Sequence, residues 1–381
     1  MLRKIRKRIL PLGLLILALL SLSVSMQLEL PPSRGPYPVG RTLLKAEDPS
    51  RAEDLTQDPH DAREVPALVW YPAEQGSGTQ AGYFPNLAAV SNALVQSGEV
   101  QPWEVYALRW VRSENPMDAR PLMDRAPYPV VILSPGNATN VEFYSSLAGE
   151  IASQGYVVVG LNHPYDVAAV ELASGRVAQF NNSIWELDFQ AHQAYIAERI
   201  KVRTADVLFT LHVLEQMNSN PDNSFAGMLD LNSVAVAGHS LGGITASEAC
   251  KADQRFKACL NLDGLQSGGP FSTEETAIPP GQPFLFLTKE SALHPKLIES
   301  FEATSESYWV VIHGASHESF ADGPLLRPSL LPLSGQAERV MELTQKYTLA
   351  FLDQTLKGQP SQLLAQPGQQ ADVSVTAYPT H

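Results

Sequence analysis

The segment Ser233–Ala246, Ser-Val-Ala-Val-Ala-Gly-His-Ser-Leu-Gly-Gly-Ile-Thr-Ala, constrains this chain more than any other stretch. An apolar run suited to a strand stops at Gly238-His239-Ser240-Leu241-Gly242, and a helix of small residues follows. A serine set between strand and helix sits on a sharp, strained turn, and small residues two positions to either side give that turn room. Gly238 and Gly242 meet the demand, while Gly243 and Ala246 let the helix lie close on a sheet. A bare Gly-x-Ser-x-Gly recurs by chance. In this setting it implies a nucleophilic serine raised at the carboxyl edge of an open sheet, where such sheets bind ligands.

The rest of the chain supplies the sheet. Tyr128 to Leu133, Val157 to Leu161, Val234 to Ala237, Ala258 to Leu262, Phe284 to Leu287 and Trp309 to Ile312 are short apolar runs. Helical spacing fills the gaps, over Phe143–Ser153, 189–217, Leu241–Cys250 and Ala337–Leu356. Strands this apolar, alternating with helices, require a mostly parallel sheet covered on both faces. The fold class is α/β, of the α/β-hydrolase type. The hydrolase domain is expected over 65–357. Residues 80–126 interrupt the pattern with apolar and aromatic residues at helical spacing, either as a cap or as extra packed helices. Residues 26–64 read as an extended lead-in, and 358–381, rich in Gln and Pro, as a flexible tail.

The first 25 residues stand apart. Arg3, Lys4, Arg6, Lys7 and Arg8 precede an apolar run, Ile9 to Leu22, with Ser23 and Ser25 spaced like a cleavage site. That is a signal-peptide layout, implying export to a periplasm or the medium. The run is short against the roughly 20 apolar residues of a membrane span. An uncleaved tether through residues 9–24 is the alternative. Without the leader the charge is about −18, from 22 basic and 40 acidic residues. Such a surface repels nucleic acid and anionic membrane. No protein partner is predicted. Cys250 and Cys259 could bridge in an oxidising compartment or remain buried free thiols.

A serine nucleophile needs a base to take its proton and a carboxylate to orient that base. In this fold the histidine comes last. His313 ends a strand, where a side chain packs; His317, in the loop Gly314-Ala-Ser-His317, has freedom to reach back over the sheet. His294 lies before a helix, in the wrong place, and His239 is expected to pack against the sheet. For the acid, Asp263 follows the strand Ala258–Leu262 and Glu290 follows the next one. Both should emerge at the sheet edge of Ser240, and position alone does not separate them. The oxyanion donors are expected to be the backbone N–H of Leu241 and, in the loop Ser134-Pro-Gly-Asn137, that of Asn137 or Ala138. Asn162-His163-Pro-Tyr-Asp166 ends a strand near the site and reads as loop packing. There is no Cys/His cluster for a metal and no Gly-rich nucleotide loop, so no metal or cofactor is expected.

From Tyr128 to Asp322, Ser-Pro-Gly-Asn137, Gly-His-Ser240-Leu-Gly-Gly, Leu262-Asp263-Gly and Gly-Ala-Ser-His317-Glu-Ser-Phe-Ala-Asp322 resemble the secreted-type (isoform II) platelet-activating-factor acetylhydrolase family. More distantly, they resemble cutinase-like polyester hydrolases. The first resemblance implies Asp263 as the acid, completing Ser240, Asp263 and His317; the second would favour Glu290. It also implies metal-free hydrolysis of small-molecule or lipid esters with short or oxidised acyl chains. Two departures are visible. Pro135-Gly136 stands where the family commonly has His-Gly, and Gly264-Leu265 where an aromatic often follows Leu-Asp. Amide or thioester cleavage by the same groups, and a non-catalytic binding protein on this scaffold, are the competing readings.

Overall fold

The computed structural model describes residues 30–264, 281–290, 306–326, 334–365, 368–369 and 371–378. The leader, Leu265 and His294 lie outside them. Among the described residues ten strands form one sheet, and two more form a separate hairpin.

At one edge, β1 (Val39–Ala52) runs antiparallel to β2 (Ala62–Pro72). Helices α1 (Leu87–Gln96) and α2 (Pro102–Leu108) follow. Then come β3 (Tyr128–Ser134), α3 (Ser145–Ser153), β4 (Val157–Leu161) and the hairpin β5 (Ala169–Glu171) and β6 (Val177–Gln179). The long helix α4 (Phe189–Ser219) leads to β7 (Leu229–His239), α5 (Leu241–Ala252), β8 (Phe256–Leu262), β9 (Phe284–Thr288) and β10 (Ser307–Ile312). The chain closes with α6 (Ser334–Leu356), the turn α7 (Gln362–Ala365), β11 (Gly368–Gln369) and β12 (Val373–Tyr378). In space the order is β1-β2-β4-β3-β7-β8-β9-β10-β12-β11. The strands from β4 to β10 are parallel, and both edges are antiparallel.

Alternation along each strand builds two cores. Val130, Ile132, Val234 and Val236 face α4 and α5, against Ile196, Val207, Leu211 and Ile244. Val131, Leu133, Ala235 and Leu260 face α3 and α6, against Leu147, Ile151, Met341 and Phe351. Successive strand residues point to opposite sides, so a strand covered on both must be apolar throughout. Cys250 and Cys259 form a disulfide that ties α5 to β8.

Two expectations need correction. The lead-in contributes β1, whose Arg41 and Asp48 are buried because they are paired. Arg41 donates to the carbonyls of Asn115 (2.9 Å), Tyr83 (2.8 Å) and Gly82. The tail is not loose. β12 pairs with β10 from Ser307↔Tyr378 to Ile312↔Val373, and Val373, Val375 and Leu364 are buried. The 80–126 insertion has its own apolar cluster, Tyr83, Phe84, Val90, Leu94, Val105, Leu108 and Val111, with Ala168 and Ala169 from the β5 side.

Candidate active site

The turn after β7 has the geometry its glycines require. Ser240 has φ 54° and ψ −123°, a conformation costing a non-glycine residue on the order of 1–3 kcal/mol. A Cβ on Gly238 would stand 2.0 Å from the Gly242 carbonyl oxygen, and one on Gly242 2.1 Å from that of Ser134. The Ser240 amide donates to the Leu262 carbonyl at 2.9 Å, fixing the turn to the end of β8.

Asp263 leaves β8 in the left-handed region, φ 52°. Its amide donates to Leu287 of β9 at 2.9 Å, and the Gly264 amide to Asn261 Oδ1 at 2.7 Å. His317 opens a single 3-10 turn, His317–Phe320, braced by Ser316 and Ser319. These segments bring three side chains into line. His317 Nδ1 lies 2.6 Å from Asp263 Oδ2, and His317 Nε2 2.9 Å from Ser240 Oγ. A carboxylate only accepts, so Nδ1 carries the hydrogen and Nε2 is free to take the serine proton. Asp263 is buried, while a third of the His317 side chain remains open to solvent.

Glu290 engages a different histidine. Its Oε1 lies 2.6 Å from His313 Nδ1, and His313 Nε2 meets Ser374 Oγ of β12 at 2.9 Å. Of the two acids that position left open, the structure puts Asp263 on His317. In the loop after β3, the Ala138 amide is spent on the Asp166 carbonyl at 2.8 Å. The Asn137 amide has no acceptor among the described residues. Leu241 is the first residue of α5, where amides have no intrahelical acceptor. Both face the requirement for two free N–H groups. A cavity of about 400 Å³ reaches Asn137 and is lined also by Phe143 and Glu318 and by Trp103, Leu108 and Val111 of the insertion.

The sequence reading missed the hydrogen bonds behind the loop after β3. Ser134 Oγ meets His163 Nε2 at 2.9 Å, and His163 Nδ1 meets Asp206 Oδ2 at 2.8 Å. The connectivity repeats that of Ser240, His317 and Asp263, but all three residues are wholly buried, closed to any substrate. Burial and the nearby Arg203 guanidinium hold His163 down to about 3, so the ring is neutral. Arg63 binds Asp206 (2.7 Å) and Glu53 (2.6 Å), while Arg203 donates to the Pro135 carbonyl. A paired buried carboxylate and a neutral imidazole thus anchor Ser134 where the loop begins. The one available signal was the polar cluster Asn162–Asp166 ending an otherwise apolar strand.

The family profile "Platelet-activating factor acetylhydrolase, isoform II" matches residues 22–364. The chain belongs to that family. The match extends well beyond the Tyr128–Asp322 stretch of recognisable motifs. The platelet-activating factor acetylhydrolase of Cavia porcellus is 26% identical over 355 residues, 86% of this chain and 78% of its own. A probable 1-alkyl-2-acetylglycerophosphocholine esterase of Arthroderma benhamiae is 26% identical over 285 residues, covering 72% and 69%. Among solved structures, the ferulic acid esterase of Streptomyces cinnamoneus superposes with a TM-score of 0.70 at 27% identity, covering 92% of this chain and 98% of that one. The fold is that of an α/β-hydrolase, and this acetylhydrolase-family chain is a serine ester hydrolase rather than a binding protein on a hydrolase scaffold.

Its departures from the family pattern have local causes. At Pro135 the backbone carbonyl accepts from the buried Arg203 guanidinium. Gly264 is demanded by a close approach: a Cβ there would stand 2.4 Å from the Ser240 carbonyl oxygen. Among the described residues no group of three or more His, Cys, Asp or Glu is arranged to hold a metal ion, and no helix is long and apolar enough to cross a membrane.

Proposed function

We propose that the chain hydrolyses short-chain or oxidised acyl esters, including sn-2 esters of glycerophospholipids, through an acyl-enzyme on Ser240. The observation that carries this reading is the unbroken line from Asp263 through His317 to Ser240, with links of 2.6 and 2.9 Å. His317 Nε2 takes the hydroxyl proton as Oγ bonds to the ester carbonyl carbon. The oxyanion so formed accepts from the Leu241 and Asn137 amides. His317 then returns the proton to the departing alkoxide as the ester C–O bond breaks. Water, deprotonated by the same imidazole, cleaves the acyl-enzyme. Asp263 holds the tautomer and stabilises the imidazolium.

The insertion acts as a cap. Apolar Val100, Leu108, Val111 and Phe143 line its cavity, suiting an acyl or alkyl limb. Relatives named for platelet-activating factor and for 1-alkyl-2-acetylglycerophosphocholine favour the phospholipid-type ester. A second reading, a hydroxycinnamate ester, is favoured by the structural neighbour's name and by Trp103 in the cavity wall. The reading includes export, with residues 1–25 as a cleaved leader and an uncleaved N-terminal anchor as the alternative.

The test is a substrate panel. Turnover of p-nitrophenyl acetate, 1-alkyl-2-acetyl-glycerophosphocholine, methyl ferulate and matched thioester and amide analogues is measured for wild type and Ser240→Ala. The expected result is hydrolysis of the acetyl esters with kcat lowered by up to about a millionfold in the variant. A preference for ferulate would select the second reading, and wild-type turnover no better than the variant's would overturn both.

A further inference from the structure

We infer that His239 and Tyr144 are positioning residues of the reaction, forming a strut that holds the oxyanion loop and the base loop in register with the nucleophile turn. The inference rests on the assignment of Ser240 and His317 proposed above.

Three segments must meet at this site: the turn after β7, the loop after β3 and the loop after β10. No strand ladder joins them beyond the sheet edge, yet the reacting groups must hold their mutual geometry to within about half an ångström. A chain of three hydrogen bonds spans the gap. The Gly136 amide donates to Tyr144 Oη at 3.0 Å, Tyr144 Oη meets His239 Nδ1 at 2.8 Å, and His239 Nε2 meets the His317 carbonyl oxygen at 3.0 Å.

Each link has one direction only. A carbonyl accepts, so His239 Nε2 carries a hydrogen; neutral, the ring then has a bare Nδ1, which takes the Tyr144 O–H; the tyrosine oxygen is left to accept from Gly136. The ring is neutral because burial, and then the charge of His317, holds it down to about 3. Tyr144 is fully buried and His239 nearly so. The packing leaves little slack: a Cβ on Gly136 would stand 3.3 Å from both His239 Nδ1 and Tyr144 Oη.

Neutrality matters to the chemistry. The His239 and His317 rings lie 4.6 Å apart between centroids, tilted by 38°. When His317 becomes an imidazolium, a charged neighbour at that distance would oppose it, whereas a neutral ring does not. The same strut that holds the base by its backbone also fixes the loop carrying Asn137.

Two measurements test this. Histidine ¹⁵N spectra of the wild-type protein at neutral pH should assign His239 as the neutral Nε2–H tautomer. Tyr144→Phe, which keeps the ring and removes the hydroxyl, should lower kcat about tenfold with KM within about twofold. The double variant with His239→Gln should be no worse than the poorer single, because residues acting as one unit are non-additive. An Nδ1–H or charged His239, kcat for Tyr144→Phe within about twofold of wild type, or additive losses would overturn the strut. If Ser240→Ala abolishes turnover while Tyr144→Phe leaves it intact, the nucleophile stands and the strut fails. Activity retained by Ser240→Ala overturns both.

Discussion

Asp263 and Glu290 leave neighbouring strands and each meets a histidine at 2.6 Å. Only for Asp263 does that histidine also reach Ser240, at 2.9 Å. The consequence is a difference in kind. An amide at 263 no longer enforces the Nδ1–H tautomer, so Asp263→Asn should lower kcat for acetyl esters by about 10⁴-fold. Glu290→Gln should stay within about twofold, since Glu290 braces β9 against His313. Steady-state hydrolysis by the two variants checks this, and the reverse ordering would move the acid to Glu290. Ser240 and His317 were legible in the sequence because a strained turn and a terminal loop leave local signatures. Position alone did not separate Asp263 from Glu290, and only the family resemblance favoured Asp263, because the left-handed turn at Asp263 and the approach of Gly264 to the Ser240 carbonyl are tertiary facts. His163 reads as packing and is buried, but its partners were not legible for a related reason: Ser134 and Asp206 are distant from it in sequence.

At the scale of elements, the base loop, α3 and the insertion meet at one carboxyl. Asp322 accepts from Tyr83 Oη at 2.7 Å and from the Ser146 amide at 3.2 Å. Burial pushes Asp322 up to about 7. A carboxyl whose folded value is raised contributes stability that is full below its unfolded value near 3.8 and is lost as pH rises through 7. Asp322→Asn keeps an acceptor and cannot ionise. Its melting temperature relative to wild type should therefore rise between pH 5 and pH 8, by several degrees. His163 and His239 act in the opposite sense: held near 3, they contribute stability above about 6.5 that is lost as pH falls toward 3. Being common to both proteins, that loss cancels in the comparison. A pH-independent difference would contradict the link between insertion and base loop. The parallel core elements were readable from apolar runs alone. β1 was not, because its buried Arg41 and Asp48 look like surface residues until their partners are placed.

For the whole molecule, both sheet edges come from segments read as lying outside the hydrolase domain, an extended lead-in and a flexible tail. β12 covers β10 through six paired positions, and an uncovered β10 would be an exposed edge prone to association. Truncation after Lys357 should give insoluble or aggregated protein, judged by size-exclusion chromatography; a soluble, active truncation would contradict the structural role of β12. The disulfide joins cysteines nine positions apart. Closing so short a loop contributes about 2–3 kcal/mol, so reduction should lower the melting temperature by a few degrees, read by calorimetry with and without reductant. The sheet, the cavity beside the insertion and the three loops all serve one claim: that a single serine, made nucleophilic by His317 and Asp263, carries the acyl group. The most direct measurement is peptide mass mapping after reaction with a fluorophosphonate, for wild type and His317→Ala. The account predicts one label on the Ser240 peptide in wild type and almost none in the variant at equal times. A label on another residue, or labelling of Ser240 undiminished without His317, would contradict it.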